Sequence, residues 1–177
     1  MIGESGLDFV HTTNSEAVQI QFLKGHLTIA ATHKRPVTIH CIGAHAKLFE
    51  VFQELYAEKS EVSNILKGNG YRQVIQMHAY EADIEFANKI SQSFPNSVEV
   101  YFSISLTIKD EINFANIVKL PRESIIIETD APHHGSMPTK LPAFVEKLQR
   151  VLGEGQGAGF GKQVYGNALR FIAGINA

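Results

Sequence analysis

The stretch from Ser124 to Pro132, Ser-Ile-Ile-Ile-Glu-Thr-Asp-Ala-Pro, restricts the fold of this chain more than any other. Three consecutive β-branched isoleucines ahead of polar residues predict a short strand buried on both faces, as in a parallel sheet covered by helices. Pro132 has no amide to donate and biases Ala131 toward extended backbone, so the chain leaves the sheet there and Asp130 stands at the carboxyl end of the strand. In parallel α/β architectures that rim is where ligands and catalytic groups collect. A functional site there needs other strands that deliver matching groups to the same rim.

Three further segments qualify. Pro36-Val-Thr-Ile-His-Cys41 is short, β-branched and opened by proline, and His40 stands near its end. Tyr71 to His78 carries Val74, Ile75 and Met77 and ends in His78, and Val98 to Ser105 has Tyr101 and Ser103 toward its end. At the start, Met1 to Phe9 implies a strand end bearing Glu4, with the strand itself reduced to a stub. Between these segments the apolar spacing turns helical. Thr13 and Glu16 have capping-box spacing ahead of Ala17, Ile20, Leu23, Leu27 and Ala30, a helix ending near His33. Ala46 to Tyr56, Glu81 to Gln92, Glu111 to Leu120, Lys140 to Leu152 and Gln163 to Ile172 predict five more helices, and Ala57 to Gly70 reads as a polar surface connection with at most a helical turn. Strand and helix alternate with short connections, which calls for a parallel sheet covered by helices, in one domain over residues 1–177.

Composition narrows the function. A chain of 177 residues, 44% hydrophobic and 19% charged, buries a real core. Its formal net charge of -2 and sequence pI near 6.4 supply no basic field, which argues against a protein that merely coats nucleic acid. The single cysteine, Cys41, allows no disulfide within the chain. No apolar run approaches the roughly 18 residues of a membrane span. The expected location is the cytoplasm, or the nucleus.

Glu4, His40, His78 and Asp130 are therefore the candidate site. A lone histidine at a strand end is more often a hydrogen-bonded structural residue, but neighbouring parallel strands stand about 5 Å apart with their carboxyl ends together, so these groups converge. Mixed imidazole and carboxylate ligation suits zinc, manganese, iron or cobalt better than calcium. The glycines at 153, 155, 157, 159 and 161 do not make a phosphate loop, because Gln156 and Gln163 stand where the pattern needs glycine and a hydroxyl. His133 and His134 extend the site or are solvated loop residues. Cys41 follows His40 and so points to the opposite face of the strand. His11, His26, His33 and His45 fall in loops or on helices, and Arg72, Arg122, Lys109 and Lys140 are scattered cations that either meet phosphates or form a solvated surface.

These pieces in this order resemble the TatD family of metal-dependent deoxyribonucleases. The matching segments are Gly-Glu-Ser-Gly-Leu-Asp at 3–8, Pro-Val-Thr-Ile-His-Cys at 36–41, the strand reaching His78, Ile-Ile-Ile-Glu-Thr-Asp-Ala-Pro at 125–132, and Asn-Ala-Leu-Arg-Phe at 167–171. The resemblance implies a TIM-barrel (β/α)8-like fold, represented here by about five strand-helix units, and a two-metal centre that hydrolyses DNA phosphodiesters. It implies Glu4 as the carboxylate shared between metals, His40 and His78 as ligands of one ion, and Asp130 as a ligand of the other and the acceptor of a proton from the attacking water. Zinc, magnesium or manganese would serve as the divalent ion, and DNA as the substrate. The chain has no His-x-His segment, which completes the second site in family members, and by the resemblance three strand-helix units are missing. Two other readings stand beside the nuclease: a partial barrel acting as a protein-interaction module, and a related amidohydrolase acting on a C-N or ester bond. A sheet of five such strands leaves two edges open, the β-branched Ser124 to Thr129 strand among them, so a homo-oligomer or a protein partner covering that edge is expected.

Overall fold

In a computed structural model of the protein, residues 1–106, 116–130, 137–151 and 159–174 are described. Five strands, β1 (Ile2–Asp8), β2 (Val37–Ile42), β3 (Gln73–Met77), β4 (Val98–Ser105) and β5 (Ile125–Glu128), form one sheet in sequential order with every neighbour parallel. Strands in order 1-2-3-4-5 joined through helices are a sector of a (β/α)8-type barrel. The helices are α1 (Glu16–Thr32), α2 (His45–Tyr56), α3 (Glu61–Asn69), α4 (Ile84–Ser93), α5 (Met137–Val151) and α6 (Phe160–Ala173).

Register explains the core. Partners in a parallel ladder share a face, so Val37 with Ile75, Ile39 with Met77, Met77 with Phe102, and Phe102 with Ile125 form one apolar layer. Ile39, Ile75, Phe102 and Ile125 are fully buried in one cluster with Leu23, Leu27, Leu48 and Phe52 from α1 and α2. Each large side chain so buried stabilises the fold by about 1.5–3 kcal/mol. The alternate positions form the other face, apolar near the amino ends of the strands at Val74, Tyr101 and Ile126 and polar toward the carboxyl ends at His40, Ser105 and Glu128. The strand expected to be buried on both faces, β5, is so at Ile125 and Ile126, and β3 is buried along its whole length and β4 along nearly all of its length.

Several boundaries differ from the sequence pattern for physical reasons. β1 is seven residues long rather than a stub, because its backbone pairs with β2 from Ile2 to Asp8 even where side chains give no strand signal, and Glu4 lies in its body. Ser15, not Thr13, caps α1, its hydroxyl accepting from the Val18 amide. The predicted connection at 57–70 contains α3. Ser60 caps it through the Ser63 amide, Gly70 ends it in the left-handed conformation, and Val62 and Leu66 bury one narrow face. Of the helix predicted over Glu111 to Leu120, residues 111–115 lie outside the described residues, as do residues 153–158 of the glycine-rich run at 153–161.

The last helix turns back under the polar face. Phe171 packs edge-on against Tyr101 at 5.7 Å, and Gly174 lies against Val74 so closely that a Cβ there would meet its Cγ2 at 2.9 Å. Asn167, fully buried, donates to the carbonyls of Arg122 and Ile125, both at 2.6 Å, and fixes α6 to the start of β5. Ile125 and Ile126 in β5 are buried, at 0% and 5% exposed. Exposed apolar groups instead line α1 (Val18, Phe22, Ile29) and α6 (Tyr165, Leu169, Ile172) at helical spacing. Among the described residues no helix is long and apolar enough to cross a membrane.

Candidate metal centre

Glu4 owes its direction to an extra residue in β1. Ile2 pairs with Val37 and Ser5 with Ile39, three steps on β1 against two on β2. Such a bulge inverts the alternation, so that Glu4 joins the polar face instead of sharing the apolar face of Ile2. Two residues on, Gly6 lies directly opposite His40, where a Cβ would come within 1.8 Å of the His40 carbonyl oxygen. Only glycine lets β1 and β2 run this close beneath the imidazole.

Both histidines face Glu4. His78 Nε2 stands 2.9 Å from Glu4 Oε1 and 3.6 Å from Asp130 Oδ1, and His40 Nδ1 stands 3.7 Å from Glu4 Oε1. The two rings are 6.5 Å apart, tilted by 35°. On its far side each ring meets a carboxylate of its own. His78 Nδ1 is 2.9 Å from Glu128 Oε2, and His40 Nε2 is 3.5 Å from Asp8 Oδ2. These contacts skip strands: Glu4 on β1 crosses β2 to reach the residue that follows β3, and Glu128 on β5 crosses β4 to reach the same residue.

The supports are hydrogen-bonded in turn. Glu128 accepts from Gln76 Nε2 at 2.8 Å and from the Ala79 amide at 2.6 Å, and Gln76 Oε1 accepts from the Thr38 hydroxyl at 3.0 Å. Asp8 Oδ1 accepts from the Val10 and His11 amides, both at 2.8 Å, while Oδ2 lies 3.3 Å from His11 Nδ1. Ala79 and Asp130 have φ of +42° and +53°, a region that costs a side chain energy and that collects where a site over-determines the backbone.

The electrostatics follow from this geometry. Burial disfavours the charged His78 ring, but Glu128, Glu4 and Asp130 outweigh it and raise its pKa above the ordinary histidine value. The His11 amide, aided by that of Val10, holds the Asp8 carboxyl down at about 2, despite some desolvation. Cys41 pairs with Leu7 on the apolar side, and burial pushes its thiol up to about 12, so it stays protonated. A cleft of about 460 Å³ opens over the rim, lined by His40, His45, His78, Tyr80, Glu81 and Asp130. A second hollow of about 380 Å³ lies on the β1 side, with Glu4, Asp8, Thr12 and His40 in its wall, so His40 borders both.

The donor set suits a divalent ion in kind and spacing. Donors around a tetrahedral zinc ion at about 2.0–2.1 Å stand roughly 3.3 Å from one another, and the separations of 2.9, 3.6 and 3.7 Å here bracket that value. The approach is pairwise through Glu4 Oε1 and His78 Nε2; among the described residues no three such side chains gather about one point as an ion would gather them.

The structure thus brings Glu4, His40, His78 and Asp130 to one rim, in pairwise contact, from β1, β2 and the residues that follow β3 and β5. His133 and His134 lie outside the described residues. Arg72 and Arg122 stand at the opposite, amino ends of β3 and β5, where Arg72 bonds the Val98 carbonyl, so neither cation reaches the rim. His45, read from the sequence only as a loop or helix residue, lines the cleft, its ring edge-on to Phe86 at 4.9 Å. Asp8 and Glu128 are not singled out by the strand-end pattern. Their only sequence signal is spacing, four residues after Glu4 and two before Asp130, which places each on the same face as its neighbour.

Comparisons with known proteins show the family and the fold. A family model described as TatD related DNase matches residues 1–171. An uncharacterized metal-dependent hydrolase of Buchnera aphidicola is 26% identical over 158 residues, covering 85% of this chain and 53% of the relative. A human 3'-5' RNA nuclease is 26% identical over 142 residues, 79% of this chain and 17% of that protein. The crystal structure of the TatD homolog YJJV from Escherichia coli superimposes with a TM-score of 0.75 over 99% of this chain and 63% of its own, at 20% identity, a likeness of fold. The chain spans about half the length of the bacterial relatives it matches.

Proposed function

Because the chain belongs to the TatD related DNase family, we propose that it carries the metal-dependent hydrolase chemistry of that family and cleaves DNA phosphodiester bonds. The observation that carries the reading is the convergence of Glu4, His40, His78 and Asp130 at the carboxyl rim of a parallel sheet, beside a cleft. In this reading Glu4, His40 and His78 hold one divalent ion, zinc, magnesium or manganese, and Glu4 and Asp130 contribute to a second, weaker position. The ion supplies Lewis-acid polarisation of the phosphodiester and acidifies a water. Asp130, at the mouth of the cleft, accepts the proton of the water that attacks phosphorus, and the bond to the leaving oxygen breaks. Glu128 and Asp8 hold the rings from behind.

A nuclease assay on single-stranded DNA, with RNA of the same sequence alongside, tests the reading. Cleavage of DNA is expected to need added metal, to stop with a chelator, and to fall by about 100-fold or more in Asp130→Asn. Activity that survives the chelator, or an active Asp130→Asn variant, contradicts it. A second reading, an interaction module, is favoured by the exposed apolar rows on α1 and α6 beside the two margins of the sheet.

A further inference from the structure

We propose that Glu81 is a specificity residue of the rim cleft, where its carboxylate accepts the N1–H and the 2-amino group of a guanine base and so favours guanine beside the bond that is cut. The inference deepens the proposed function and rests on it for the expectation that a nucleotide enters the cleft.

The turn that carries Glu81 is anchored on both sides. The Tyr80 amide donates to the Ser103 carbonyl at 2.8 Å, the Tyr80 hydroxyl donates to the Asp83 carbonyl at 2.6 Å, and the Tyr80 ring packs edge-on against Phe102 at 4.7 Å. Asp83 in turn caps α4, its carboxylate accepting from the Phe86 amide at 2.7 Å. Between these fixed points Glu81 is exposed and lines the cleft. A side chain held out from an anchored turn meets a ligand without the cost of ordering a loop.

The other carboxylates at the rim are engaged within the protein. Glu4 and Asp130 face His78, Asp8 accepts from the Val10 and His11 amides, and Glu128 accepts from Gln76 and the Ala79 amide. Glu81 makes no hydrogen bond or ion pair with any described residue. The described lining of the cleft also contains no lysine or arginine. His45 brings no positive charge at neutral pH, because burial holds its pKa below the ordinary histidine value.

This combination selects one part of a nucleotide over another. A backbone phosphate only accepts hydrogen bonds and would face the Glu81 charge with no cation beside it, whereas the edges of the bases donate. Guanine sets two donors side by side, N1–H and the 2-amino group, and these match the two oxygens of one carboxylate. Adenine, cytosine and thymine each place a single donor group beside an acceptor on that edge, so one carboxylate oxygen would meet a lone pair. At about 460 Å³ the cleft lies within the range of small-molecule sites, roughly 300–1,000 Å³, a size for one nucleoside and not for a duplex.

Titration of the metal-free full chain with 2'-deoxyguanosine, deoxyadenosine, deoxycytidine and thymidine, followed by the backbone amide shifts of residues 79–82, reads the base site without the metal. Deoxyguanosine is expected to shift these amides and to bind about 10-fold more tightly than each of the other three. In Glu81→Gln, which replaces two acceptors by one acceptor and one NH2, that preference is expected to vanish. No binding of deoxyguanosine at these residues, equal binding of all four nucleosides, or the same preference in a folded Glu81→Gln variant overturns the proposal. Cleavage of short single strands carrying guanine or thymine beside the bond, with metal added, is measured alongside, and faster cleavage beside guanine is expected. Equal cleavage of both strands overturns the role of Glu81 in choosing the bond. A chain that binds deoxyguanosine as expected and cuts neither strand overturns the proposed function instead, and the base site stands on the nucleoside titration.

Discussion

Gly6 shows how little freedom single positions have near this centre. A methyl group there would sit 1.8 Å from the His40 carbonyl oxygen, a backbone atom that cannot swing aside. Gly6→Ala is therefore expected to force β1 from β2 and to cost about 3 kcal/mol, measured by urea unfolding; a variant as stable as the unaltered chain contradicts the close approach. The residues at this scale divide by how their partners are chosen. The placing of His40, His78 and Asp130 is legible in the sequence because strand ends in a parallel sheet share a rim, whereas Glu4 lies in the body of β1 and reaches that rim through a bulge. Asp8 and Glu128 are not, because each acts through a ring on another strand. That Glu128 meets the ring of His78 depends on register across β3, β4 and β5 together, which no local pattern encodes.

Among the elements, α6 depends most on a single polar side chain. Asn167 is fully buried and donates to two carbonyls at the entry to β5. Asn167→Leu leaves both acceptors without a donor, which costs about 1–3 kcal/mol each. A loss of roughly 3 kcal/mol in thermal or urea unfolding is expected, and a loss under about 0.5 kcal/mol would show that water replaces the amide freely. Most elements here are readable from periodicity, β4 from Val98 to Ser105 to the residue. The failures have physical causes. α3 spans nine residues with a narrow apolar face, so its caps, Ser60 and Gly70, carry the signal that its interior lacks. β1 is held by main-chain pairing to β2 and contains two glycines and a bulge, so its side chains do not announce it.

For the whole molecule, the described residues leave β1 and β5 each with one neighbour in the sheet. Beside these margins Phe22 on α1 and Tyr165 on α6 are 64% and 66% exposed, each within an apolar row on its helix. Free strand edges flanked by apolar rows favour pairing, so the chain is expected to associate with further copies of itself at micromolar concentration. Light scattering after size exclusion, with hydrogen exchange on residues 125–128, checks this; a monodisperse monomer with protected amides there contradicts it.

Glu4 crossing β2 and Glu128 crossing β4 also have a mechanical meaning. Alternate strands of a flat sheet lie about 9.6 Å apart, and side chains that bridge that gap draw the two strands together on the polar side. They act as struts that keep the sheet bent, a task that ring closure performs in a complete barrel. An ion seated between Glu4 and His78 would stiffen the strut, since flattening the sheet would have to expel it. Ligand that binds only the bent, folded sheet, present at 100 times its dissociation constant, adds about 2.7 kcal/mol to stability. Zinc is therefore expected to raise the melting temperature of the unaltered chain and to leave that of His78→Ala unmoved; an equal response in both would mean that the ion grips the protein elsewhere. Curvature and loading are then one equilibrium, and the melting curve reports how far the sheet is bent as well as whether its rim is filled.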